Sequence, residues 1–104
     1  IMPISGKART PIEEDIYAGL SQRELASREK YYDRARALFR RLVTEFRDRK
    51  EVCLFDISRA FENVTERVFE DSTHVLGAGN RILAQHMKSG LASCGLIRRA
   101  GAER

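Results

Sequence analysis

Residues 51–57 read EVCLFDI, a short and mostly apolar run that decides which fold the sequence predicts. The run has no polar face of helical period, and valine, phenylalanine and isoleucine favour strands. It directly follows a long amphipathic segment, which is the order of half a βαβ unit, and its apolarity suits a parallel strand covered on both faces. We therefore predict a buried strand at residues 51–57, with partner strands that the sequence does not contain.

Two helix starts precede this segment. Residues 10–13, TPIE, offer an N-cap hydroxyl, a proline at the first helical position and a carboxylate at the third, and predict a short helix that ends near Gly19. Residues 21–24, SQRE, form a second capping box, which predicts a long helix to about Arg49. Its apolar residues recur at steps of three and four and form one stripe that must pack against something: Leu25, Tyr32, Ala35, Phe39, Leu42 and Phe46.

The remaining segments are less regular. Residues 58–73 show no clean period and predict a loop with one helical turn at Arg59 to Glu62. A final helix is predicted from Gly77 to near Gly90. Residues 1–9 form an irregular lead-in, and residues 91–104 form a basic tail that we expect to fray.

Length and composition bound the class of protein. A chain of 104 residues forms one small domain at most, and its stability alone would be marginal. The contents of 42% apolar and 33% charged residues are typical of a globular protein. No apolar run approaches the roughly 20 residues needed to cross a bilayer. The net charge of +4 arises from 19 basic residues interspersed with 15 acidic ones, so it indicates no particular partner. The sequence does not indicate a compartment.

Two further features concern processing and redox state. The sequence opens with Ile1 and not with methionine, from which we expect it to have been cut from a longer protein. Cys53 and Cys94 have no metal-type spacing and make a poor disulfide framework, so both are interpreted as structural thiols.

The residues most indicative of chemistry are 69–74, FEDSTH, which precede Gly77, Gly79 and Asn80. An aspartate three residues before a histidine in a loop can bring its carboxylate to the Nδ1 proton of the imidazole. That contact would fix the tautomer and leave Nε2 free as a general base. A pair at this spacing is on its own more often a surface turn.

The run from Phe69 to Ala84 resembles the closing block of the SGNH (GDSL-type) serine hydrolases, in which Asp-x-x-His precedes a Gly-Asn pair and an amphipathic helix. The similarity in order and spacing extends over about residues 21–90. The resemblance implies an α/β fold, a three-layer α/β/α flavodoxin-like sandwich, of which residues 10–90 would supply only the C-terminal helix-strand-loop-helix part. It also implies ester hydrolysis by Ser-His-Asp acyl transfer without a cofactor or metal, with Asp71 as the orienting acid and His74 as the general base.

The sequence departs from the family in one essential respect. It contains neither the Gly-Asp-Ser block that carries the nucleophile nor recognisable blocks for the oxyanion-hole donors. The parent protein is thus expected to be a carboxylic ester hydrolase acting on a small-molecule ester, whereas this chain alone is expected to be inactive. The acyl group and the alcohol are not indicated.

Other interpretations stay open. In one alternative, His74 is a structural histidine that a local carboxylate satisfies. In another, the chain is a non-catalytic interaction module that self-associates through its incomplete core. A basic nucleic-acid-binding protein is disfavoured because Arg34, Arg36, Arg40 and Arg41 are spread around their helix without an aromatic platform. A metal site formed by Asp71, His74 and His86 lacks the ligand spacing of standard sites.

Overall fold

The computed structural model describes residues 2 and 5–95, and it contains three helices within them. Helix α1 spans Pro11–Ala18, α2 spans Gln22–Glu45 and α3 spans Gly77–Ser93. All three predicted helices are confirmed, although α2 ends before the predicted Arg49 and α3 continues beyond the predicted Gly90. Extended segments and turns connect α2 to α3, so the predicted loop lies where it was expected.

Both predicted capping boxes are present. In α1, the Thr10 hydroxyl accepts a hydrogen bond from the Glu13 amide, and the Glu13 carboxylate accepts one from the Thr10 amide. Ser21 and Glu24 make the same reciprocal pair at the start of α2. These bonds satisfy backbone N–H groups that a helix leaves unpaired in its first turn, which explains why both helices start where they do.

The predicted α/β sandwich is wrong. Among residues 2 and 5–95 there is no strand and no sheet, only an isolated antiparallel bridge between Phe69 and Val75. Residues 52–57 lie outside any helix or strand, and the N–H groups of residues 53–57 donate to no backbone carbonyl in this part of the chain. A strand needs a neighbour that pairs its backbone groups, and the apolar run has none here. Its side chains are also not covered on both faces, because Leu54 and Asp56 are exposed.

The core lies between α1, the start of α3 and the segment that connects α2 to α3. Its buried apolar residues are Met2, Ala60, Phe61, Val68 and Phe69. The rings of Phe61 and Phe69 meet edge to face with centroids 5.4 Å apart. Partly buried residues complete the cluster: Ile16, Tyr17, Val64, Val75, Ile82 and Leu83. Residues 58–63 form turns in place of the predicted helical turn.

Helix α2 differs from the other helices because none of its 24 residues is buried. The predicted stripe is only partly covered: Leu25, Tyr32, Phe39, Leu42 and Phe46 are half-buried, and Ala35 is exposed. An open cleft of about 440 Å³ lies along this face, and Tyr32, Phe39, Phe55, Phe61 and Leu83 are among the residues that line it. The expectation that the stripe packs into a core is therefore met only in part.

The interpretation of the cysteines as thiols is wrong in this structure, which pairs Cys53 with Cys94 in a disulfide. Their Cα atoms lie 6.0 Å apart, within the usual range for a disulfide, and 41 positions separate them in sequence. The bond joins the extended segment to the end of α3. Within the predicted tail, residues 91–93 belong to α3, and residues 96–104 lie outside the described residues.

Candidate active site

A short closed loop brings Asp71 and His74 together. At its base, Phe69 and Val75 form the antiparallel bridge, and the Leu76 amide donates to the Val68 carbonyl at 2.8 Å. Nearer the tip, the Glu70 amide donates to the His74 carbonyl at 2.9 Å. These bonds hold the two ends of the loop at a fixed distance from each other, and α3 begins directly after the loop.

The carboxylate of Asp71 organises the tip of this loop. Its Oδ1 accepts hydrogen bonds from the amides of Thr73 at 2.8 Å and His74 at 2.7 Å, a local turn for which aspartate is well suited. Its Oδ2 lies 2.7 Å from Nδ1 of the His74 ring, and Oδ1 lies 3.0 Å from the same atom. The amide of Thr73, then the amide and ring of His74, hold the pKa of the Asp71 carboxyl well below its usual range.

This geometry fixes the tautomer of the neutral His74 ring. An ionised carboxylate only accepts hydrogen bonds, so Nδ1 donates to Asp71, and in the neutral imidazole Nε2 is the nitrogen with the free lone pair. Within residues 2 and 5–95, no group hydrogen-bonds to Nε2. The His74 side chain is 73% exposed. An oriented imidazole with a free and accessible Nε2 is the form that a general base requires.

The structure brings the two sequence-predicted residues into contact, but none of the hydroxyl groups that it describes hydrogen-bonds to Nε2. The Ser72 hydroxyl accepts a hydrogen bond from Arg28 of α2 at 3.0 Å. The Thr73 hydroxyl lies 3.3 Å from Nδ1 of His74, which is the wrong side of the ring. The Asn80 side chain donates to the Val75 carbonyl at 3.5 Å. The catalytic roles of Asp71 and His74 therefore stay predictions.

Sequence reasoning missed the buried carboxylate beneath this loop. The side chain of Glu13 is fully buried, with Oε1 2.6 Å from the equally buried Lys7 ammonium and 3.0 Å from the Thr10 amide. Its Oε2 accepts from the amides of Val68 and Phe69, both at 3.2 Å. Burial alone would raise the pKa of Glu13, but the Lys7 hydrogen bond and the three amides lower it from 4.5 to about 2.

The sequence carries a signal for only one of these four contacts. The capping box announces the bond between Glu13 and Thr10, because it spans three residues. The bonds to Val68 and Phe69 join positions 55 and 56 residues away, which no local pattern predicts. The contact between Arg28 and Ser72 spans 44 residues and was missed for the same reason.

In the part of the chain that the structure describes, no group of three or more His, Cys, Asp or Glu residues could hold a metal ion. No helix there has the length and apolarity to cross a membrane. Comparisons with protein-family models, with curated proteins and with solved structures found no match to this chain.

Proposed function

We propose that this chain supplies the acid and base of an SGNH-type serine hydrolase that acts on ester bonds. The observation that carries the proposal is the 2.7 Å contact between Asp71 Oδ2 and His74 Nδ1, which leaves Nε2 free and exposed. Nε2 would take the proton of a serine hydroxyl as its oxygen attacks the ester carbonyl, and would give that proton to the departing alcohol. A water molecule, activated by the same nitrogen, would then release the acyl group. The carboxylate of Asp71 stabilises the imidazolium that forms in both steps.

The serine and the oxyanion donors are supplied by protein that this sequence does not contain. None of the serines present follows a Gly-Asp pair. The substrate is a small-molecule ester whose acyl group and alcohol are not indicated by these residues. We therefore expect the 104-residue chain, by itself, to hydrolyse an activated ester no faster than the same concentration of free imidazole.

The proposal is tested on the natural translation product that contains this sequence. A fluorophosphonate probe should label one serine of that product, and His74→Ala should abolish the labelling. Asp71→Asn should slow ester hydrolysis by about 10⁴-fold, because an amide no longer enforces the required tautomer. His86→Ala, on the exposed side of α3, is the matched control and should react at the unchanged rate. Labelling that persists in His74→Ala, or the absence of any labelled serine, would reject the proposal.

A second candidate function is favoured by the uncovered face of α2. The helix has no buried residue, and Tyr31, Leu38 and Val43 are exposed to solvent. A non-catalytic interaction module would use this face, and self-association is the simplest form of that function. Sedimentation measurements on the purified chain should then show oligomers that Leu38→Glu disperses and His74→Ala leaves intact. A chain that stays monomeric at high concentration would remove this candidate.

Nucleic acid is not among the proposed partners. The excess of positive charge is small, and acidic residues are interspersed with the basic ones. DNA or RNA binding with an affinity that falls steeply as salt rises would contradict this assignment.

A further inference from the structure

We propose that Glu13 is the positioning residue of the Asp71–His74 pair. It contacts neither side chain of the pair and acts through the backbone of Val68 and Phe69. The catalytic role of the pair rests on the proposed function. The contacts between Glu13 and the loop do not, because they lie within this chain.

The groups around the Glu13 carboxylate require it to accept hydrogen bonds on both oxygens. Its side chain is fully buried, and all its hydrogen-bond partners are donors: the Lys7 ammonium and the amides of Thr10, Val68 and Phe69. Lys7 is fully buried as well and is held by a second bond to the Ala8 carbonyl at 2.6 Å. Only an ionised carboxylate can accept from donors on both of its oxygens, so the site selects glutamate and fixes its orientation.

The path from Glu13 to the pair is short and consists of hydrogen bonds. The amides of Val68 and Phe69 face Glu13. The Val68 carbonyl and the Glu70 amide pair instead with the returning side of the loop, at Leu76 and His74. Residues 68–70 therefore lie between the carboxylate and residues 74–76. A displacement of Val68 and Phe69 would move the backbone of His74 relative to Asp71.

Other contacts hold different parts of the loop. The Met2 amide donates to the Ser72 carbonyl at 3.1 Å, and Arg28 donates to the Ser72 hydroxyl at 3.0 Å, so both act at the tip. On the α3 side, Gly79 lies so close that an added Cβ would be 3.0 Å from Val68 Cβ. The base is thus packed against α3 on one side and held by Glu13 on the other.

Two substitutions of Glu13 separate the contributions of its oxygens. In Glu13→Gln one end of the side chain becomes an NH₂ group, which must face donors whichever way the amide turns. The charged Lys7 should attract the carbonyl oxygen, so the NH₂ group faces the amides of Val68 and Phe69. Glu13→Asp keeps the charge near Lys7, but the shorter side chain withdraws from Val68 and Phe69. Thr10→Ala is the matched control, because it weakens the same capping box and leaves the carboxylate on both distant amides.

The experiment is NMR spectroscopy of the full 104-residue chain. The ¹⁵N shifts of the His74 ring report the fraction of the Nδ1-protonated tautomer, and the ¹³C shift of the Asp71 carboxyl reports its titration. In both Glu13 variants we expect that tautomer fraction to fall by about twofold or more, and the Asp71 midpoint to move upward by about one pH unit, because the bonds that favour the carboxylate loosen. Thr10→Ala should match the unsubstituted chain in both measurements.

The outcomes are distinct. Wild-type signals in folded Glu13→Gln and Glu13→Asp would overturn the inference, and equal changes in Thr10→Ala would do so too, because the effect would then be a general loosening of α1. Failure of both Glu13 variants to fold would also overturn it, since Glu13 would then serve the fold as a whole. These measurements need no serine nucleophile. A natural product without esterase activity would reject the proposed function and leave this inference standing.

Discussion

Two regions of this molecule contain several large apolar side chains, but only one of the regions buries them. Around Phe69, the chain supplies every surface that the core needs: Val68 is 0% exposed, Phe69 is 1% exposed, and the buried Glu13 is fully hydrogen-bonded. Along α2, 24 residues with an evident apolar stripe contain no buried residue. An apolar stripe thus shows that a face favours burial, but it does not show whether the same chain contains what covers it.

A hydrogen bond from α2 and a disulfide close to its end are among the contacts that connect the second region to the first. Arg28 of α2 reaches Ser72, and Cys53 is bonded to Cys94 at the end of α3. The half-buried stripe lines a cleft and forms no closed core. A helix without tertiary packing is marginal in water, so we expect α2 to depend strongly on these attachments.

The largest contrast should come from equal truncations in the two regions. Phe69→Ala removes a fully buried ring from the core and should lower the free energy of unfolding by about 3–5 kcal/mol. Phe39→Ala removes a half-buried ring from α2 and should cost about 1 kcal/mol or less. Urea unfolding monitored by circular dichroism measures both. Similar losses for the two variants would mean that α2 is packed as tightly as the core and that the two regions do not differ in burial.

The disulfide should be the next largest contribution. It closes a loop between positions 41 residues apart, so replacing Cys53 and Cys94 by serine should cost about 2–4 kcal/mol. The effect should be uneven: amide hydrogen exchange should accelerate in α2, and change less at Val68 and Phe69. Thiol titration of the unreduced, denatured chain should find no free thiol. Two reactive thiols would restore the interpretation drawn from the sequence.

Acid should destabilise the core region through Glu13. Its pKa is about 2 in the folded chain against 4.5 ordinarily, so the unfolded chain binds the proton more readily. The contribution to stability is fully present above about pH 4.5 and is lost as pH falls from there toward about 2. A difference of about 2.5 in pKa corresponds to about 3 kcal/mol at about 1.36 kcal/mol for each unit.

Urea unfolding across this pH range measures the loss. Asp71→Asn is the control, because it removes the exposed carboxylate whose pKa is also lowered and leaves Glu13 in place. That variant should keep most of the acid sensitivity. A free energy of unfolding that stays level between about pH 5 and 2.5 would show that Glu13 contributes little.

Local signals account for what the sequence predicted correctly. The capping boxes at Thr10 and Ser21 span three residues, and so does the spacing that joins Asp71 to His74. Each of these contacts is decided by the geometry of one turn. The helices and the contact between Asp71 and His74 could therefore be derived before the structure, although the catalytic role of the pair could not.

The failures that changed the fold and the candidate site involve distant partners. Residues 51–57 have the composition of a strand, but a strand exists only with a neighbour, and the sequence pattern cannot say whether the neighbour is present. The bonds from Glu13 to Val68 and Phe69 and the pairing of Cys53 with Cys94 join positions more than 40 residues apart. Such contacts depend on the packing of the whole chain, so no short motif announced them.

The smallest expected difference between the two regions concerns alanine substitutions at two glycines of α3. In Gly79→Ala, the new Cβ would clash with Val75 Cγ1 and lie 3.0 and 3.1 Å from the Cβ and carbonyl oxygen of Val68. These neighbours belong to the closed core, so the variant should lose about 1–2 kcal/mol even though alanine favours helix. In Gly90→Ala the Cβ would instead clash with the ring of Phe55, so that this ring must shift, and it borders the open cleft. We expect a smaller loss than at Gly79, of about 1 kcal/mol or less, because alanine favours helix and the ring borders open space. Thermal unfolding of the two variants resolves this difference, and an equal loss at Gly90 would show that Phe55 is held as firmly as Val68.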